Sequence, residues 1–146
     1  DCCVDFVEKK FSVNMEEHMS SSDRAIAHLA KRTIEEHTYW GIIYNRWIEG
    51  DNLKTTVSEI INMSGFAGWM VGKIAGRAVR QQAWQQGLVR HPHDEIYLRC
   101  TRDLRAIDDL LGNRDFFGGD RPCPSDAAVF GMTANLLWSP LVLLCA

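Results

Sequence analysis

Asp115-Phe-Phe-Gly-Gly-Asp-Arg-Pro-Cys-Pro-Ser-Asp-Ala-Ala-Val-Phe130 is the stretch on which the reading of this chain turns. Glycine, proline and aspartate dominate its first half, which is the chemistry of a tight connection rather than of a regular element. The second half begins Pro124-Ser-Asp126, and proline is well suited to the first turn of a helix because its missing N–H has no intrahelical partner there. A helix from about Pro124 through Trp138 follows, entered from a loop, Asn113 to Pro122, that carries two adjacent aromatics.

Working outward, the rest of the chain is also helical. No run alternates at period two between turn dipeptides, so strand signals are missing. Pro92, with Asp94 and Glu95 behind it, starts a helix whose Tyr97, Cys100, Leu104, Ile107 and Leu111 share a face, and Gly112 stops it. Lys54 to Gln86 reads as a long helix, broken near Ser64-Gly65. Gly68, Gly72 and Gly76 line one face of it and let another backbone approach closely. Ser20-Ser-Ser-Asp23 caps another long helix that ends at Gly50-Asp-Asn52. Two stripes run along it: Ala25, Leu29, Thr33, Glu36, Trp40, Ile43, Trp47, and beside them Ile26, Ala30, Ile34, Gly41, Tyr44. So wide an apolar face suits a helix with several neighbours. Asp5 to Met19 reads as a short helix or turn. The first two long helices are expected to pair antiparallel, with the Asp126 helix at the centre.

Composition bounds the function. The chain has 146 residues, the size of one domain, with 46% hydrophobic and 24% charged residues. A net charge of −3 gives no electrostatic reason to expect nucleic acid as the partner. No run reaches the length of a membrane span, and the charged first ten residues are unlike a signal peptide. The five cysteines, Cys2, Cys3, Cys100, Cys123 and Cys145, are odd in number and form no C-x-x-C pair. They favour a reducing compartment, and the cytoplasm is the expected location.

The quoted stretch resembles the C-terminal domain of glutathione S-transferases. There an F-x-G-D-x-P turn leads into a Ser/Thr-x-x-Asp capping box at the start of the core helix. Here the aspartate is Asp126 and the hydroxyl position is held by Cys123, so this structural cap, with its weak thiol acceptor, should be weaker by ~1 kcal/mol. Asp23-Arg-Ala-Ile-Ala-His28, Glu35-Glu-His-Thr-Tyr-Trp40 with Arg46-Trp47, Arg102-Asp-Leu-Arg-Ala106 and Asp109-Leu-Leu-Gly112 look like the failed axon connections family, the metaxin-like branch of that superfamily. The resemblance implies an all-α, transferase C-terminal-like bundle over residues 1–146. It also implies an N-terminal thioredoxin-like domain that this chain does not contain. The glutathione site lies mainly on that domain, so no cofactor is expected here, and glutathione only where such a domain precedes.

The implied function is a non-catalytic module acting through protein contacts, with a role in axon development. The alternative is the hydrophobic-substrate half of a glutathione S-transferase, and a further one is a heavy-metal or stress-response relative. No catalytic residue is assigned. His37, Trp40 and Tyr44 are candidate substrate-binding residues, because rings with polar tips suit an apolar cleft, although core packing is the competing reading. Glu36 lies on an apolar seam and is expected to be a buried carboxylate paired with Arg32, Arg46 or another arginine. His91-Pro-His93 with Asp94 reads as a solvated helix start rather than a metal site. The expected partners are a thioredoxin-like domain or another protein, and self-association is expected from apolar surface left open.

Overall fold

Ser20 opens the first long helix as the sequence requires. Its Oγ accepts the Asp23 N–H at 3.1 Å and its hydroxyl donates to Asp23 Oδ2 at 2.6 Å. The Ser20 hydroxyl, and then the Arg114 guanidinium at 3.2 Å, hold the Asp23 carboxyl below the usual carboxylate range. This computed structural model describes residues 2–141, so Cys145 and most of the apolar tail lie outside the described residues. The order is α1 (Cys2–Phe11), α2 (Ser21–Thr33), a π turn (Ile34–Thr38), α3 (Tyr39–Trp47), α4 (Asn52–Thr55), a second π turn (Thr56–Ile60), α5 (Gly65–Gln86), a 3-10 turn (Leu88–Arg90), α6 (His93–Leu111) and α7 (Pro124–Leu137). The fold is all-α, and a single isolated bridge, Phe116 to Gly119, is the only β pairing among the described residues.

The π turn changes the phase of the first long rod. The Tyr39 amide reaches back five residues to the Ile34 carbonyl. One extra residue in a turn rotates everything beyond it by about 100° relative to a continuous α-helix. The buried line is therefore Ala27, Ala30, Ile34, Thr38, Ile42 and Asn45, which follows the second stripe more closely than the first. Leu29, on the first stripe, is 62% exposed. Glu36 is likewise a correction: it is exposed, not buried, and pairs with Arg32 at 3.0 Å on the surface.

Other boundaries fall where glycine and proline put them. The Lys54–Gln86 segment is interrupted before Gly65, and its two parts fold on each other: Gly72 and Gly76 face Leu53, and Gly68 faces Val57 and the Met63 carbonyl. The close approach expected of the glycine face is thus made by the chain's own preceding turn. Gln86 Nε2 donates to the Glu36 carbonyl at 3.4 Å, so α5 runs back along the first rod, antiparallel to it.

Two apolar clusters hold the bundle. Met19, Ala27, Ala30, Ile34, Ile107, Phe117 and Cys123 form one; Leu88, Ile96 and Cys100, with Trp40 and Tyr44 against them, form the other. Phe117, from the loop, is 1% exposed. Asp126 fixes it there: Oδ1 accepts the Phe117 N–H at 2.8 Å and Oδ2 accepts the Cys123 N–H at 2.7 Å. The Asp126 amide turns back to Cys123 and completes a capping box. Gly118 makes the turn possible, since a Cβ there would lie 2.4 Å from the Arg121 carbonyl oxygen.

The α7 helix does not lie at the centre. It packs on α2 and the first π turn, while Phe130, Leu137 and Trp138 on its other side are 64%, 76% and 73% exposed. Apolar residues all round it conceal which face is covered. Burial of the Cys123 thiol, and then its contact with Asp126, push its pKa up, so it stays a neutral and weak acceptor. Cys123→Thr should stabilise the protein by about 1 kcal/mol, its Oγ taking the Asp126 amide while its methyl keeps the apolar contact. Urea unfolding measures this, and an unchanged or lower midpoint would remove the thiol as the weak point of the cap.

Candidate functional site

His37 comes from the π turn, the part of the rod whose backbone departs from α geometry. Such turns are common where a side chain must be aimed. Its Nδ1 lies 2.5 Å from Asp103 Oδ2 on α6, and the same oxygen accepts the Thr38 hydroxyl at 3.0 Å. An ionised carboxylate only accepts, so it fixes the proton on Nδ1 and leaves Nε2 as the lone-pair nitrogen. The His37 side chain is 35% exposed and that of Asp103 20%. This arrangement is an imidazole oriented by a carboxylate, the geometry used for proton transfer by a positioned side chain.

One and two turns further on, α3 and α6 are tied by a second polar group. Tyr97 OH donates to Glu49 Oε2; Asn45 Nδ2 donates to that same oxygen and to Tyr97 OH, each at 3.0 Å. His93 Nδ1 lies 3.2 Å from Glu49 Oε1, and Tyr44 OH is 3.5 Å from His93 Nδ1. The three rings pack edge to face, Tyr44 on Tyr97 at 6.2 Å and His93 on Tyr97 at 4.9 Å. Burial and then the Glu49 hydrogen bond raise the Tyr97 phenol, and burial followed by the Glu49 charge raises that of Tyr44. Neither phenol is therefore prepared to give up its proton near neutral pH. The group is a hydrogen-bonded strut between two helices.

The expected site residues separate. His37 goes to Asp103, while Trp40 and Tyr44 rest on Leu88, Ile96 and Cys100. Cys100 is 3% exposed and pushed up to about 11, by burial first and the Asp103 charge second, so its thiol is inert. Two cavities open elsewhere. One of about 400 Å³ is lined by Arg46, Glu59, Ile60, Asn135 and Trp138, and one of about 610 Å³ by Leu53, Val57, Met63, Gly68, Trp69 and Gly72. Neither is lined by His37, Trp40 or Tyr44. His91 pairs with Glu95 at 3.4 Å and His93 with Glu49, and the described residues contain no group of three or more metal-type ligands placed to hold an ion.

Sequence reasoning missed Asp103, Asn45, Glu49 and Tyr97. Arg99, four residues before Asp103, pairs with Glu95 at 2.6 Å, which leaves Asp103 to His37. The available signal was position: Asp103 follows Cys100 by three residues, on the side of α6 that faces the bundle.

Comparison with known proteins bears on this geometry at both ends. The family description "Glutathione S-transferase, C-terminal domain" matches residues 100–143, the stretch of α6, the Asp126-anchored loop and α7. "Glutathione S-transferase N-terminal domain" matches residues 1–52, whose described part is α1, α2, the first π turn and α3 with turns between them and no strand. Isoprene-epoxide–glutathione S-transferase of Rhodococcus sp. (strain AD45) is 27% identical over 140 residues, covering 94% of this chain. The chain spans 59% of that relative's length. No solved structure matches. No helix among the described residues is long and apolar enough to cross a membrane. The chain is similar to glutathione S-transferases at both ends and along most of its length, and its all-α fold is of their C-terminal type.

Proposed function

We propose that this chain is the helical, substrate-side half of a glutathione transferase that acts on a small apolar electrophile. The observation that carries the reading is the similarity over 94% of the chain to an enzyme named for joining glutathione to isoprene epoxide. In such a reaction the glutathione sulfur bonds to a ring carbon, the C–O bond breaks, and the oxygen takes a proton. The described residues contain no β-α-β unit for glutathione, so a thioredoxin-like domain would supply that site. This chain's candidate contact with the electrophile is His37; Trp40 and Tyr44, packed on Leu88, Ile96 and Cys100, support the rod that carries it. His37, kept in orientation by Asp103, can take the glutathione thiol proton at Nε2 and pass it to the opening oxygen, so the thiol hydrogen ends on the new hydroxyl. The narrower placement in the failed axon connections branch, with a non-catalytic role, rests on its sequence blocks alone, and the comparisons favour the transferase.

The test is conjugate formation by the whole purified protein, given glutathione and a small alkene epoxide and followed by mass spectrometry. Turnover is expected above the uncatalysed rate. His37→Ala and Asp103→Asn should each lower it about 100-fold with helical content unchanged, the usual scale of a positioned proton donor. Absence of conjugate from the intact protein overturns the reading; activity untouched by both substitutions removes His37 from it.

A further inference from the structure

One helix carries a charge unlike the rest of the chain. Across its 22 residues α5 holds Lys73, Arg77 and Arg80 and no acid, in a protein of net charge −3. None of these three forms an ion pair with a described residue. Its inner face, through Gly68, Gly76 and Ala83, is buried. At 100° per residue, Phe66, Met70, Lys73, Arg77 and Trp84 fall on one outward line, because 18 residues make five whole turns. Phe66 is 74% exposed, Trp69 60%, Met70 41%, Ile74 66% and Trp84 57%. Phe66 and Trp69 stack at 5.8 Å at one end, and the Arg90 guanidinium lies over Trp84 at 5.7 Å at the other.

We propose that this face of α5 docks on the surface of an anionic lipid bilayer, with the helix lying in the interfacial plane. Basic residues interleaved with exposed rings and aliphatic side chains are the composition of helices that settle at the headgroup boundary. The face stands outside both cavities at Phe66, Ile74, Arg77 and Trp84, although Trp69 and Lys73 border the larger one. It can therefore sink into a fluid phase, whereas a folded partner would need a complementary trough. A second copy is a poor occupant. A two-fold contact centred between Lys73 and Arg77 would set each of them against the other's copy, like charge to like. An anionic surface turns the same charges into attraction, each worth about a fivefold gain in binding.

The whole purified protein should sediment with vesicles of mixed phosphatidylglycerol and phosphatidylcholine, and at least roughly tenfold less with phosphatidylcholine alone. The bound fraction should fall as salt rises. Lys73→Glu with Arg77→Glu should reduce it by roughly tenfold or more. Ile74→Ser should also weaken binding, while Leu98→Ser, an exposed leucine on α6, should not; circular dichroism checks that each variant is folded. Failure to sediment with anionic vesicles, equal binding to both vesicle types, or indifference to the charge reversal overturns the proposal. So does a light-scattering dimer that Ile74→Ser separates, since that would show a copy of the chain, or an acidic protein that competes for the same face, to be its true occupant.

Discussion

Asp126→Ala is expected to cost about 3 kcal/mol, the largest loss from any single polar substitution in this protein. Its two oxygens take the Phe117 and Cys123 amides, and both donors lie where the loop enters the first apolar cluster. Alanine leaves both without an acceptor, and each orphaned donor in such a place costs about 1–3 kcal/mol. For a chain of this size the melting temperature should drop by about 10 °C. Asp115→Ala, an exposed aspartate eleven residues earlier, should stay within about 0.5 kcal/mol of the parent. If urea unfolding finds Asp126→Ala less than about 1 kcal/mol below the parent, the amides have other acceptors and the loop is not held by this carboxylate.

The second large effect is a change of sign. A Cβ on Gly41 would lie 2.4 Å from Cys100 Sγ, while the next nearest atom, Cys100 Cβ, is at an ordinary 3.6 Å. Gly41→Ala therefore overpacks a cluster in which Cys100 cannot retreat, and should destabilise by about 1–3 kcal/mol. Remove the sulfur first and the obstacle is gone. In a Cys100→Ala background the same substitution meets only the Cβ and gains the helix preference of alanine over glycine, about 1 kcal/mol. A double-mutant cycle should thus return a coupling of about 2 kcal/mol or more. Additive effects would mean that α3 and α6 slide apart freely, and that the 3% exposure of Cys100 does not reflect a fixed contact.

What the sequence discloses is mostly local. Pro92, Gly112 and Pro124 mark helix ends because their effects act on the backbone within a residue or two. The Asp126 anchor was legible for the same reason: its partners are three and nine residues away. Phase was not legible. Nothing in Ile34-Glu-Glu-His-Thr38 announces an extra residue in the turn, so a constant step of 100° carried Leu29 and Glu36 into an interior they do not enter. The candidate site was seen from one side only. His37 was visible as a polar ring among apolar neighbours; Asp103, 66 residues away, had a more obvious local partner in Arg99. Long-range pairing of that sort depends on how two helices cross, which periodicity does not encode. The place of α7 was hidden by its uniformity, since a helix apolar on every side gives no vector toward the core.

The π turn also separates duties along a single rod. Before it, the side chains that matter meet α7, the anchored loop and the C-terminal part of α6; after it, they meet α5 and the N-terminal part of α6. Because the extra residue unlocks the angular relation between these halves, substitutions on one side need no compensating adjustment on the other. A lineage could retune the contacts around Trp40 and Tyr44 for a new chemical task while the other half, with its carboxylate clamp, keeps the architecture standing.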